Sequence, residues 1–478
     1  MLISFLIFFC LFTGIGVASS FWKKSTIEDY FLASREIPAW LVALSFGATI
    51  SSGATFIGFA GLAYKAGMAA VYAVAALTIG DHIGWLIARN KIRRKAHETQ
   101  AHTYPSLIGK LVGNARPIVT VIAAIMTILC LGTYCSAQLV AGAKVGESLF
   151  GWDYTYFIVL GAFVLLAYCW SGGIRASIWT DAVQAILILI SLLILIVAGL
   201  RDIGGLSVMW EQLTEIDPKL TDLSPSHLNT VLISWVVFGI AILGQPQLMV
   251  RHMVARSDQD LKVARRIYLS WRWVVLLMAC LSGMIARVLI PTAESFDPEL
   301  SIPLLWQDLL PPVLVGLLIA GLFSATMSTA DSLLLSASSS LTQHLIPKWR
   351  DSYLFARLGT VLVIILIVSI ALVATKDVLA LVVLAWGWLG ATLVPLIIVQ
   401  LFGANPSQHL ALIMMFSGFL TAIAWRYGFA PLNILPLREY LEWKNLMDLV
   451  PGVTVGFISF ALLYPLERKN RISPENTP

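Results

Sequence analysis

Three aspartates, Asp81, Asp181 and Asp331, sit inside long apolar runs of this chain. A carboxylate at membrane depth costs about 2.5–3.5 kcal/mol on insertion scales, so each one requires a partner or a function. Asp331 follows Ser328 and Thr329 in a stretch that also carries Ser324, Thr326, Ser332, Ser336, Ser338, Ser339, Ser340 and Thr342. Hydroxyls in membrane helices often bond back to their own backbone. That accounts for scattered Ser and Thr better than for a Ser-Thr pair beside an aspartate. Hard cations prefer oxygen ligands, so the cluster reads as a polar ion pathway. Asp181, in Trp179-Thr180-Asp181, is either an interfacial carboxylate reaching headgroup water or an ion ligand or gate. Asp81, followed by His82, either glues two helices together or belongs to a titratable site.

A site for an alkali cation also draws on backbone carbonyls, and these are free only where a membrane helix is broken beside a cavity. Two stretches carry break signals: Ala48-Thr49-Ile50-Ser51-Ser52-Gly53-Ala54, and Phe238-Gly239 followed by Gly244-Gln245-Pro246. Small residues also serve to bring helices close together. The two stretches fall five spans apart on spans of opposite direction, the arrangement of paired inverted repeats.

The elements that hold these residues are membrane helices. Of 478 residues 58% are hydrophobic and only 12% charged, which excludes a soluble enzyme, a disordered chain and a nucleic-acid-binding module. Apolar runs of spanning length predict thirteen helices, at about 2–21, 39–64, 69–90, 118–146, 155–172, 177–200, 228–250, 268–291, 313–344, 354–375, 378–401, 409–427 and 448–466. The first run has no preceding positive charge and ends at Lys23 and Lys24, so it is expected to be a retained span with its N-terminus outside. With that orientation 22 of the 32 Lys and Arg lie on the inner side, the outer loop 201–227 is acidic, and the C-terminus is cytoplasmic. No extramembrane domain is expected.

Other chemistries find little support. Cys10, Cys130, Cys135, Cys169 and Cys280 all lie in apolar runs without a CxxC pair and read as packing residues. Of the histidines only His82 falls clearly within a span, too few for haem ligation between helices. There is no Walker motif. The expectation is ion-coupled transport with no organic cofactor, no nucleic acid and no obligate protein partner beyond the lipid bilayer and a small-molecule solute.

The chain resembles the sodium:solute symporter family, most closely its bacterial sodium/proline branch, with the sodium/pantothenate branch a near second. The resemblance rests on Arg35, Ala43-Leu44-Ser45 leading into Ser52-Gly53, Tyr134-Cys135 followed by Val140-Ala141-Gly142-Ala143, Trp179-Thr180-Asp181, Gly244-Gln245-Pro246, Ala264-Arg265-Arg266 and Met327-Ser328-Thr329. Ala63-Tyr64-Lys65-Ala66-Gly67 and Leu310-Pro311 resemble the pantothenate branch. It implies an all-α integral membrane protein of the bacterial inner membrane with a leucine-transporter-like core. That core is two inverted five-helix repeats, 36–200 and 227–401, flanked by an extra N-terminal helix and loop (1–35) and two extra C-terminal helices and a tail (402–478). It implies Na+ as coupling ion, held by the carbonyls of Ala48, Ser51 and Ala325 and the hydroxyls of Ser328 and Thr329. Asp181 is implied at a second ion site of some members, and Asp331 and Asp81 are further candidates for a second ion or gate. Solute is implied near Ser52, Gly53, Tyr134, Gln138, Phe238 and Ile242. The chain departs from the proline branch at Ile50, where those carriers have an aspartate, at Ile242, where they have an aromatic, and at Asp81 and Asp331, which have no counterpart there.

The expected function is sodium-coupled uptake of a small organic solute such as L-proline by alternating access. The alternatives are a sodium/pantothenate or other small-carboxylate symporter, a proton-coupled symporter of the same fold, and a non-transporting sensor built on a transporter core.

Overall fold

The computed structural model describes residues 2–7, 14, 32–112, 117–224, 228–290, 297–350, 352–428 and 446–472. Most of the predicted first span, with Cys10, Lys23 and Lys24, lies outside the described residues. So do His227 and most of the loop before the last helix.

Thirteen helices carry the architecture: α1 (Ala39–Ile50), α2 (Ala54–Ala66), α3 (Met68–Ala88), α4 (Pro117–Phe150), α5 (Tyr154–Ile203), α6 (Leu228–Gly244), α7 (Pro246–Val254), α8 (Asp258–Leu289), α9 (Pro312–Ser340), α10 (Tyr353–Val373), α11 (Val378–Leu401), α12 (Gln408–Ile423) and α13 (Leu449–Ile472). Among the described residues nine helices are long and apolar enough to cross a membrane, and two bent pairs, α1 with α2 at 56° and α6 with α7 at 55°, bring the spans to eleven. The predicted spans 155–172 and 177–200 fall within the continuous helical run α5, in which Tyr154–Ala167 and Ser177–Ile203 are two separate apolar helices. The polar stretches between spans are partly helical too, at Lys91–Glu98, Tyr104–Lys110 and Leu206–Ile216.

The two breaks have local causes. After Ile50 the backbone leaves helical geometry at Ser51 (φ −90°, ψ 67°), where small residues follow a β-branched pair. At the second break Pro246 has no N–H to donate and pushes its predecessor out of the α region, and Gln245 is extended at φ −101°, ψ 99°.

Helix α9 is the axis of the bundle and is buried over nearly its whole length, packed on α4, α5 and α1. Lipid-facing surfaces show at helical spacing: Ile186, Ile190, Leu193 and Val197 on α5, and Leu358, Leu362 and Ile365 on α10, are exposed.

The broken spans are gripped by glycine contacts. Where α3 crosses α6, a Cβ on Gly80 would lie 2.1 Å from the Val236 carbonyl oxygen, and one on Gly239 2.2 Å from that of Leu77. Where α8 crosses α2, a Cβ on Gly283 would lie 2.1 Å from the Ala60 carbonyl oxygen. Backbone meets backbone at both crossings, and no side chain can yield. Gly80→Val and Gly283→Val should each cost about 3 kcal/mol or more, since overpacking here displaces main chain. The expected readout is a marked fall in melting temperature in detergent; a melting curve like that of the unmodified protein would refute these contacts.

Candidate functional site

The end of α1 lies against the middle of α9. Where the helix ends, the Ala48 carbonyl takes the Ser51 N–H (3.1 Å) in a tightened last turn, and the carbonyls there keep acceptor capacity for further donors. Helix α9 supplies them as hydroxyls. Ser328 donates to the carbonyl oxygens of Ala48 (3.2 Å) and Ala325 (3.0 Å), and Thr329 to those of Thr49 (2.8 Å) and Ala325 (3.2 Å). Ser51 sits at the break itself, and its hydroxyl oxygen is buried with no hydrogen-bond partner. The structure thus brings Ala48, Ser51, Ala325, Ser328 and Thr329 together as one nest of neutral oxygens. A small hard cation fits that donor set: the carbonyls are already gathered, and an orphaned oxygen points to a missing partner.

Beside this nest lies a charged ladder. Asp181 on α5 accepts from Ser45 (2.6 Å), Thr49 (3.4 Å) and the Arg251 guanidinium (2.9 Å) through one oxygen. Arg251, on α7, also donates to Ser45 (2.9 Å), Ser332 (2.7 Å) and the Gln247 carbonyl (2.5 Å). Asp331 on α9 accepts from Ser177 (2.9 Å) and Ser332 (2.8 Å). Asp181, Asp331 and Arg251 are all fully or almost fully buried. The interfacial reading of Asp181 therefore gives way to one inside the bundle, and Arg251 belongs to the core instead of a basic loop.

Across the break from the ladder the surroundings turn aromatic and amide-lined. The Gly53 N–H donates to the Gln138 side-chain carbonyl at 2.8 Å, and the Gln138 amide nitrogen reaches back to the Tyr134 carbonyl at 3.4 Å. The Tyr134 hydroxyl lies near the Ser52 side chain. Tyr134 also meets Trp386 edge-on at 6.2 Å between ring centroids, and Trp386 stacks on Phe238 at 5.4 Å while its indole N–H donates to the Phe238 carbonyl. Gln245, at the second break, donates to the Trp386 carbonyl at 3.2 Å. Ser52, Gly53, Tyr134, Gln138 and Phe238 are thereby joined into one shell. Ile242 points elsewhere: its side chain packs on Gly84 of α3.

Asp81 hydrogen-bonds to neither part. It accepts from Tyr268 (3.0 Å) and Arg272 (3.0 Å) on α8, tying α3 to α8, and the arginine is 4% exposed. This geometry favours the helix-gluing role over a titratable site.

Arg251, Arg272 and Trp386 were not singled out in the sequence. The signal for the arginines was available: an intramembrane aspartate paired to nothing nearby in sequence implies a cation elsewhere, and Arg272 lies inside a predicted span. For Trp386 an aromatic among sixteen tryptophans carries no mark of its own.

The family model of the sodium:solute symporter family matches residues 30–418. The chain belongs to the sodium:solute symporter family. Among its relatives are the sodium/proline symporter of Haemophilus influenzae, 26% identical with 98% of this chain and 95% of that one covered, and the sodium/proline symporter of Staphylococcus aureus, 28% identical with 97% and 92% covered. The osmoregulated proline transporter OpuE of Bacillus subtilis is 27% identical, with 85% of each chain covered. Among solved structures, the chain is similar to a substrate-bound, outward-open Na+-coupled sialic acid symporter, with a TM-score of 0.82 at 20% identity, covering 97% of this chain and 96% of that one. It is also similar to MhsT in complex with L-phenylalanine, with a TM-score of 0.55 at 14% identity, covering 89% and 97%. The fold is the leucine-transporter-like one expected from the sequence. This sodium:solute symporter is a multi-pass membrane transporter and not an enzyme, and Na+ is its coupling ion.

Two substitutions separate the parts of the site. Asp81→Asn should lower thermal stability by about 3–5 kcal/mol, because it strands the buried Arg272, while leaving the sodium dependence of uptake unchanged. An altered sodium dependence at normal stability would place Asp81 in the coupling machinery. In Gly53→Ala the new Cβ would lie 2.8 Å from that of Ala141 and 3.0 Å from the Thr326 methyl. Uptake should fall at least about tenfold with the protein still folded, since sub-ångström displacement at a binding site is costly; wild-type uptake in this variant would contradict the packing around the break.

Proposed function

We propose that this symporter takes up a small zwitterionic amino acid such as proline together with Na+, using the α1–α9 junction as the ion site and the aromatic shell across the break as the solute site. The observation that carries the reading is the meeting of both sites at one helix break. Ala48 gives its carbonyl to the oxygen nest, and Gly53, five residues on, gives its N–H to the solute shell. An ion held there by Ala48, Ser51, Ala325, Ser328 and Thr329 stiffens the break against α9 and thereby sets the geometry of Ser52, Gly53, Gln138 and Tyr134. Phe238, with Trp386 stacked on it, covers the solute, and Ile242 positions the second break through its packing on α3. Solute occupancy then releases the shift to the inward-facing state, in which both ligands leave; ion and solute act by differential affinity for the two states. The proline-transporting relatives support the solute class, as does a shell of rings and amides around a polar break.

Alternating access in this reading rests on two inverted repeats, 36–200 and 227–401. The contacts support the division. Shifting each span by five turns the α3–α6 packing into α8–α2, the α1–α5 packing into α6–α11, and the α4–α11 packing into α9–α5, and all six pairings are present. The glycine crossings follow the same rule, with Gly80 on Gly239 matched by Gly283 on Ala60. The bias of Lys and Arg toward one side supports a reading with the N-terminus outside and the C-terminus in the cytoplasm of a bacterial inner-membrane protein.

Thr329→Ala removes an oxygen donor from the nest and leaves the shell intact. In proteoliposomes with an inward Na+ gradient, half-maximal Na+ for radiolabelled proline uptake should rise about tenfold, the scale of one lost charge-assisted contact. Unchanged Na+ activation with normal protein content would refute the ion site. Failure of proline to be taken up by the unmodified protein would refute the solute.

A further inference from the structure

The ladder beside the oxygen nest carries a charge that its own residues do not balance. Asp181 and Asp331 are fully buried, and the guanidinium that faces them, Arg251, is 1% exposed. Arg251 pairs directly with Asp181 at 2.9 Å. Asp331 receives only hydroxyls, from Ser177 and Ser332, and its second oxygen is buried without a hydrogen-bond partner. The other ionisable groups facing Asp331 are the thiols of Cys135 and Cys169, which add no positive charge. With both aspartates ionised, two carboxylates and one guanidinium give the cluster a net charge of −1, and an unpaired carboxylate in an apolar interior is among the most costly arrangements a protein can hold.

The oxygen nest has the opposite deficit. Its ligands are carbonyls and hydroxyls, all neutral, so a cation bound there has no counter-charge among them. The two deficits are linked by single hydroxyls. Ser332 donates to Asp331 at 2.8 Å and to the carbonyl of Ser328 at 3.1 Å, and it lies 3.3 Å from the Thr49 hydroxyl, whose own carbonyl accepts from Thr329.

We infer that Asp331 is the counter-charge of the coupling ion: it does not ligate the ion, but supplies, through Ser332, the negative charge that the neutral nest lacks. Asp331 is thus a positioning residue for ion binding, and the inference rests on the reading of the nest as the sodium site. With one Na+ bound the whole buried assembly is neutral. With the ion gone, it holds an uncompensated charge that favours a state open to water. Ion occupancy thereby governs closure as well as solute affinity.

The test is Na+ binding to the full-length protein in detergent without solute, read by thermal stabilisation in NaCl–choline chloride mixtures at constant ionic strength. In Asp331→Asn the apparent Kd for Na+ should rise about tenfold or more, as loss of a full charge two hydroxyls away in a buried site implies, with a Hill coefficient of one in both proteins. A Kd within a factor of two of the unmodified protein overturns the inference. So does a Hill coefficient of two that falls to one in D331N, since Asp331 would then ligate a separate second ion. Asp331→Ser, whose hydroxyl fits the ladder, gives the same readings should D331N not fold. Thr329→Ala in the same assay separates the two proposals: weakened binding in T329A with D331N unaffected overturns the counter-charge alone, and unaffected T329A overturns the ion site itself.

Discussion

A membrane helix that stops bonding to itself must have its carbonyls met by something else. Much of this structure answers that requirement at Ile50, where α1 ends. The carbonyls of Ala48 and Thr49 are met by Ser328 and Thr329, and this brings α9 to the centre of the bundle with its hydroxyl face turned inward. The junction is weak by design of its chemistry. Hydroxyl protons satisfy the carbonyls well enough to hold the fold, and a cation satisfies the same oxygens with a full charge. The oxygens that these hydrogen bonds join are the same ones a cation would take as ligands.

The surrounding architecture keeps the break in place without making it rigid everywhere. One half of each broken span is clamped by main-chain contact, α2 on α8 through Gly283 and α6 on α3 through Gly80 and Gly239. The other halves, α1 and α7, are joined by polar links. Ser45 of α1 and Arg251 of α7 bond each other, and both bond Asp181 of α5. At the far end of α1, Ile37 exchanges backbone hydrogen bonds with Val254 and Arg256 at the end of α7. The α1 and α7 segments are therefore coupled to each other, so that movement of one draws on the other. Asp81 with Arg272 braces α3 against α8.

Much of this was legible in the residues. Length and apolar periodicity marked eleven spans that the structure describes, because lipid forces helices to carry their own hydrogen bonds. Gly53 and Gly244-Gln245-Pro246 marked the breaks for reasons of backbone chemistry, and the Ser328-Thr329-Asp331 cluster marked the ion-bearing helix. What stayed hidden depends on distance in sequence. Nothing near Asp181 indicates that Arg251, seventy residues away, is its partner. The stacking of Trp386 on Phe238 spans 148 residues. Ile242 lies at the right point in the chain for the solute shell, but in the 3-10 turn that ends α6 its side chain packs onto Gly84.

The central claim is that one helix break serves ion and solute together, so that neither binds at full strength alone. Thermal stabilisation of the unmodified protein by proline, measured with and without Na+, tests it most directly. The account predicts that proline raises the melting temperature in NaCl and leaves it unchanged in choline chloride. Equal stabilisation in both salts would mean that the solute site forms without the ion, and the coupling described here would be wrong.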